Sequence, residues 1–292
     1  MFKLSIFKKI MILFLAFALF LIAFMVLYFN YKVSSIETDI YINEMKTLQT
    51  NILEKEHIKM NSARNIVLSM CANKTILDNM YNEKREPLFE QLSLFQSILK
   101  KNTAYKNTLL QLVDSGGLSY VKSWDFKSYG ANLQVRSSVK NMIQNKKLII
   151  GSEITRGGLM VVATCPLIGE IDEDETIADA YLGSVDFILK YNSLVYKRDN
   201  PQEKRDVLVL VKKDLLPKTS IVKDPEIIAD YYVDLKKKNI DQKFLKAAQK
   251  LDIENLLKQG YLYDENYFYT YTYIYDINKK QVGMYLLGND ID

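Results

Sequence analysis

The chain is poor in the residues that build small stapled folds or metal centres: two cysteines, Cys71 and Cys165, one histidine, His57, and one tryptophan, Trp124. That count rules out a disulfide framework and a Cys/His zinc cluster. Proline occurs five times, first at Pro87, and all eleven glycines fall at or after Gly116. The first 86 residues therefore carry no helix breaker. Excess charge is scarce too. Of a net +4, Lys3, Lys8 and Lys9 supply three, so the rest has no basic field and no nucleic-acid partner is expected. The G-x-x-x-x-G-K, G-x-G-x-x-G, H-E-x-x-H and G-x-S-x-G signatures are missing. An enzyme is not expected, and neither is a cofactor or a metal. With 48% hydrophobic and 25% charged residues over 292 positions, the chain is not disordered and can hold one or two cored domains.

One feature is abundant instead. Ile10 to Phe29 form an unbroken apolar or aromatic run, IMILFLAFALFLIAFMVLYF. At roughly 1.5 Å per residue such a run crosses a hydrocarbon core of about 30 Å. No small-residue cleavage triplet follows it, so the run reads as an uncleaved signal anchor. Lys3, Lys8 and Lys9 before the span, against Lys32 after it, put the N-terminus in the cytoplasm. The expected localisation is a bacterial inner membrane, crossed once, with the bulk of the chain in the periplasm.

Beyond the span, Ile36, Ile40, Met45, Leu48 and Ile52 recur at helical spacing, and Ala63, Ile66, Val67 and Met70 continue the stripe. Glu37, Asp39, Glu44, Lys46, Glu54, Lys55 and Lys59 fill the polar faces. A long amphipathic stalk is predicted, packing on a domain or on a second copy, with a parallel homodimer formed through the Ile36–Ile52 stripe. His57 reads as solvated or interhelical. A further helix is expected from Pro87 to about Lys101, with Leu88, Leu92, Phe95 and Leu99 on one face.

From Gly116 onward the character changes to sheet. Thr108–Val113 and Leu118–Trp124, joined by Asp114-Ser115-Gly116-Gly117, read as a hairpin. Val135–Asn145 reads as a short helix, and Lys147–Glu153, Gly158–Leu167 and Tyr181–Leu189 as three more strands. Glu170–Asp179 is an acidic loop whose carboxylates, such as Asp172 and Asp174, are solvated and lack calcium-loop spacing. Helices followed by a five-stranded antiparallel sheet make an α+β module. After a polar joint at Lys190–Lys204, a smaller unit is expected. It comprises a strand at Asp206–Lys212, helices at Ala229–Asn239 and Gln242–Leu257, and a strand at Tyr267–Tyr275. A turn at Asp276–Lys280 and a return strand at Gln281–Gly288 complete it. The odd positions of Tyr267–Tyr275 put five tyrosines on one face, read as a half-buried sheet face in preference to a ligand surface. The resulting division is 1–9 cytoplasmic, 10–30 transmembrane, 31–86 stalk helix, 87–197 larger module and 198–292 smaller module.

An ordered series of short motifs runs through the larger module. Leu112-Val113-Asp114, Ser119-Tyr120-Val121-Lys122-Ser123-Trp124-Asp125 and Lys127-Ser128-Tyr129-Gly130 are followed by Arg136. Gly151-Ser152-Glu153, Gly157-Gly158-Leu159, Cys165-Pro166-Leu167 and Leu182-Gly183-Ser184-Val185-Asp186 complete it. The series resembles the double Cache sensory domains of bacterial chemoreceptors and sensor kinases over Leu109 to Phe187. The family pattern has arginines where this chain has Lys122 and Val162.

That resemblance implies two PAS-like modules, the larger one membrane-distal, on a long helix rising from the membrane. It also implies a small extracellular ligand in the distal module, of amine, amino acid or carboxylate class. Trp124, Tyr129, Arg136, Glu153 and Asp186 are the implied ligand-binding residues. Each has an alternative role as core filler or structural ion pair. Arg136 can pair with a carboxylate, and Asp186 is expected to hold either a ligand ammonium or Arg136. After Gly288 only four residues follow, with no second span or output module, so the chain reads as the sensory part of a longer receptor or as one acting through a partner. The rival reading is an envelope assembly protein whose stalk dimerises and whose domains bind a protein partner without a small ligand.

Overall fold

A computed structural model describes residues 6–103, 105–169, 180–191, 205–217, 220–222, 224–235 and 240–291. The architecture is α+β: a long N-terminal helix, then two antiparallel sheets. Helix α1 runs Ile6–Cys71, as the missing glycine and proline dictate. Its first part is long and apolar enough to cross a membrane, and none of that stretch is buried. The chain divides into two compact units, residues 1–48 and 49–292.

The stalk helix expected through residue 86 stops early. No glycine or proline is involved: Asn73 turns the chain, and its side-chain oxygen accepts the Ile76 N–H at 3.2 Å, capping α2 (Lys74–Tyr81). Helix α3 (Arg85–Asn102) then carries Pro87 in its first turn, where a missing N–H costs nothing. Leu88, Leu92 and Leu99 are its buried face.

The first sheet holds β1 (Thr108–Asp114), β2 (Ser119–Lys122), β3 (Ile149–Thr155), β4 (Gly158–Gly169) and β5 (Ala180–Lys190) in the order β2-β1-β5-β4-β3. The β1–β2 turn closes because Asp114 Oδ1 accepts the Leu118 N–H at 2.7 Å and Gly117 takes a φ of +84°. Helix α4 (Ser137–Asn145) connects β2 to β3. The predicted acidic loop at 170–179 lies outside the described residues, as does most of the polar joint.

The second sheet holds β6 (Arg205–Lys212), β7 (Ile227–Ile228), β8 (Tyr231–Val233), β9 (Tyr261–Tyr263), β10 (Tyr267–Tyr275) and β11 (Gln281–Asp290) in the order β7-β8-β6-β11-β10-β9. The helix expected at Ala229–Asn239 is replaced by a hairpin: Ala229 takes a φ of +47°, and the β-prone run Tyr231–Val233 pairs with β6. The single helix expected at Gln242–Leu257 is two, α5 (Gln242–Ala248) and α6 (Ile253–Gln259). Asp252 caps the second by accepting the Asn255 N–H at 3.0 Å. Phe244, Leu245, Ala248, Ile253 and Leu256 pack on Leu208, Leu210, Tyr267, Tyr269, Met284 and Leu286. The tyrosine row is thus a sheet face: Tyr267 and Tyr269 are core, Tyr271 and Tyr273 flank it, and Tyr275 is exposed.

Contacts within residues 49–292 tie the sheets and α1 together. Cys71, at the end of α1, is disulfide-bonded to Cys165 on β4, with Cα atoms 6.3 Å apart. Asp234, after β8, accepts the Leu159 N–H of β4 at 2.6 Å. Gln49 donates to the Tyr271 carbonyl at 2.7 Å, and that carbonyl lies just beyond the last β9 pairing.

Candidate functional site

Strand pairing decides what surrounds Asp186, in the middle of β5. Gln111 on β1 and Thr164 on β4 are its direct cross-strand partners. Opposed residues share a face, so the three form a polar row across the first sheet, with Ser184 two residues along on the same side. All four are buried, and Asp186 is 0% exposed. Among the described residues, Gln111 Nε2, Thr164 Oγ1, Ser184 Oγ and Asp186 Oδ1 make no hydrogen bond of good geometry, although Thr164 lies close enough to Asp186, and Ser184 to Tyr181, to favour the charged form of each. Sequence motifs did not single out Gln111 or Thr164, yet each interrupts an apolar strand, and a lone polar residue in such a run is a visible signal.

Arg136, the residue preceding α4, reaches down to this row. Its Nη1 donates to Asp186 Oδ2 at 2.8 Å, its Nε to Glu153 Oε2 at 3.0 Å and its Nη2 to Ser138 Oγ at 3.0 Å. Glu153, on β3, also accepts the Ser138 hydroxyl at 2.7 Å and the Ser138 N–H at 2.9 Å. Arg136 offers α4 no side-chain cap, so a carboxylate from a neighbouring strand does that work. Of the two partners expected for Asp186, the structure supplies Arg136.

The electrostatics follow from two carboxylates facing one guanidinium. Burial pushes the Asp186 carboxyl above its ordinary range, and Arg136 pulls part of that back. For Arg136, burial opposes the charge, but Asp186 and then Glu153 outweigh it and hold the guanidinium above its usual value. With all three ionised, the cluster carries one uncompensated negative charge, and Asp186 Oδ1 is the oxygen that Arg136 leaves to other donors. Such an arrangement suits a donor, above all a cationic one.

Trp124 and Tyr129 lie outside this cluster. Trp124 is 42% exposed and lines a cleft of about 470 Å³ with Ser93, Gln96 and Lys100 of α3 and Thr108 of β1. Tyr129 is 60% exposed, and its ring lies 3.7 Å from the Arg85 guanidinium. Arg85 also donates to the Tyr120 and Phe126 carbonyls at 3.1 and 3.0 Å, clasping the 120–130 segment to the start of α3. Arg136 and Glu153 line a separate cleft of about 170 Å³ with Val135, Ile154, Ile277 and Lys280, and Asp186 lies behind Arg136. Val162 is fully buried among Met160, Ile188 and Leu109.

A second buried polar group was not legible in the helix pattern. Lys59, expected on a polar face of the stalk, is 3% exposed and donates to the Lys190 carbonyl at 3.0 Å. Burial lowers its ammonium to about 7, against the pull of Glu56. Glu56 accepts the Tyr191 hydroxyl at 3.0 Å, and Tyr191 in turn bonds the Ser152 side chain of β3. Burial raises the Glu56 carboxyl. His57 is exposed beside Asn61, as expected.

No protein-family profile matches the sequence, and no curated protein matches it. Among solved structures, the chain is similar to the extracellular domain of vpHK1S-Z8, described as a histidine kinase. The identity is 14%, covering 86% of this chain and 91% of that one, with a TM-score of 0.48. The extracellular domain of a second such kinase, rpHK1S-Z16, is 14% identical over 84% of this chain and 92% of that one, with a TM-score of 0.42. An extracellular ligand binding receptor from Desulfohalobium retbaense is 13% identical over 77% of this chain, with a TM-score of 0.35, and the chain spans 39% of that receptor's length.

Proposed function

We propose that the chain is a membrane-anchored, extracytoplasmic sensor domain that binds a small molecule bearing a cationic nitrogen at the Asp186 site. The observation that carries this reading is the row of buried polar groups on one sheet face, Gln111, Asp186, Thr164 and Ser184, in which Gln111 Nε2, Thr164 Oγ1, Ser184 Oγ and Asp186 Oδ1 make no well-formed hydrogen bond among the described residues. Buried polar atoms are nearly always paired, so such a group suits a polar guest. The motif series resembling double Cache domains spans the same strands. Arg136 is the internal occupant of one Asp186 oxygen, and the guest engages the other, reached by movement of the segment before α4.

The anchor is the exposed apolar start of α1, with the bulk of the chain outside the cytoplasm. A disulfide between Cys71 and Cys165 supports that side of the membrane, since disulfides persist in oxidising compartments. Of the Ile36–Ile52 stripe expected to carry a dimer, Leu48 and Ile52 are buried within the chain itself, so the seam in this reading is confined to Ile36 and Ile40, both exposed. Thermal unfolding of the full chain in detergent micelles, against amines, amino acids and carboxylates, tests the ligand. A compound at 100-fold its Kd stabilises a site present only in the folded state by about 2.7 kcal/mol. Stabilisation by amines or amino acids is expected. Stabilisation by none of the panel favours the assembly-protein reading.

A further inference from the structure

Ser152 and Glu153 are consecutive residues of β3, and alternation sends their side chains to opposite faces of the sheet. Glu153 belongs to the Asp186 cluster, holding Arg136 and the Ser138 N–H. Ser152 points the other way, to the Tyr191 hydroxyl and through it to Glu56 of α1. Its main chain makes a third connection. The Ser152 carbonyl accepts the Ile277 N–H at 3.0 Å, so the β10–β11 turn of the second sheet docks on the free edge of β3. That docking is close: a Cβ on Gly151 would lie 2.6 Å from Ile277 Cγ2. The same turn also holds α4, where Asn278 Nδ2 donates to Ser137 Oγ at 3.0 Å and Asn141 Nδ2 to Asn278 Oδ1 at 3.1 Å.

We infer that the Ser152–Glu153 step is a coupling element, through which the state of the Asp186 site is felt at the β10–β11 turn and at α1. The inference rests on the Asp186 site being the one that changes state. When a guest takes the second Asp186 oxygen, the segment before α4 moves to admit it, Arg136 shifts its hold on Glu153, and the α4 start and β3 edge shift with it. The turn and the Tyr191–Glu56 contact are each bonded to that edge and follow. Because coupling is reciprocal, a change at α1 also alters the Asp186 cluster.

Two main-chain amides report the two ends. Ser138 N–H, bonded to Glu153 Oε1, reports the cluster, and Ile277 N–H, bonded to Ser152 O, reports the docking. Amide-resolved hydrogen exchange on the full chain in detergent micelles tests the coupling without any ligand. Asp186→Asn is expected to speed exchange at Ile277 by about tenfold, and Tyr191→Phe to speed it at Ser138 by a similar factor. Amides of α6 serve as the reference and are expected to stay unchanged. Where Asp186→Asn loosens α6 as well, Arg136→Lys replaces it under the same criterion. If the pocket variant leaves Ile277 unchanged and Tyr191→Phe leaves Ser138 unchanged, the coupling is overturned. That result would leave ligand binding untouched, just as failure of every compound to bind would leave the exchange result standing.

Discussion

Arg136 is the residue on which the candidate site depends. Removing one partner of a buried ion pair strands the other charge, which is far worse than never having had the pair. Arg136→Ala leaves the largely buried carboxylates Asp186 and Glu153 without their shared counter-charge, and a loss of about 3–5 kcal/mol in chemical denaturation of the full chain is expected. Asp186→Asn keeps an acceptor for Arg136 and is expected to lose clearly less. Equal losses would mean that the negative charge of Asp186, and not the shape of its bonds, holds the cluster together. Asp234 gives a pH-dependent counterpart. Burial raises its carboxyl from 3.8 to about 6, against the Leu159 N–H bond and the nearby Lys190 charge. A carboxyl raised in the folded state binds its proton more tightly there than when unfolded. Its contribution is therefore most favourable below about pH 4 and is lost as pH rises to about 6, amounting to about 2–3 kcal/mol. Asp234→Asn keeps the acceptor for Leu159 and is expected to be more stable than the parent at pH 7. The difference should shrink as pH falls from 6 to 4, and a difference constant with pH would contradict this assignment.

At the scale of elements, α1 is held to the first sheet at two well-separated points, the Cys71–Cys165 disulfide and the Glu56–Lys59 contacts. Closing a loop this long restricts the unfolded chain, so the Cys71→Ser, Cys165→Ser double variant is expected to lose about 2–5 kcal/mol. Unchanged stability under reducing and oxidising conditions would contradict the bridge. Below that, Ile36 and Ile40 are exposed, and single cysteines there are expected to crosslink between copies in the membrane of an otherwise cysteine-free protein. Equal crosslinking at Glu37 would place the seam elsewhere. The elements readable from the sequence were those with one dominant signal. The apolar strands β1, β4 and β5 and the Gly116–Gly117 hairpin form near their expected bounds, and the breaker-free α1 forms as expected but ends fifteen residues short. Less legible were decisions made by single polar side chains or by distant pairing. Asn73 ends α1, Asp252 splits a helix, and Tyr231–Val233 becomes a strand because β6 is there to pair with it. In the site, Arg136, Glu153 and Asp186 stand in motifs that the sequence shows. Gln111 and Thr164 stand out as lone polar residues in apolar strands, but that they and Ser138 meet Asp186 depends on register and helix placement, which spacing along one strand does not reveal.

The whole molecule, as proposed, combines an anchor and a buried polar site. Reporter fusions at Lys101 and after the last residue should both be active outside the cytoplasm, and cytoplasmic activity at both would reverse the orientation. The central claim is that a small molecule is held at Asp186. Its most direct test is the thermal unfolding of the full chain with amines, amino acids and carboxylates, run side by side on the parent and on Asp186→Asn. The account predicts that at least one amine-bearing compound raises the parent's unfolding temperature and leaves that of Asp186→Asn unchanged. A compound that stabilises both proteins equally, or none that stabilises the parent, would contradict it.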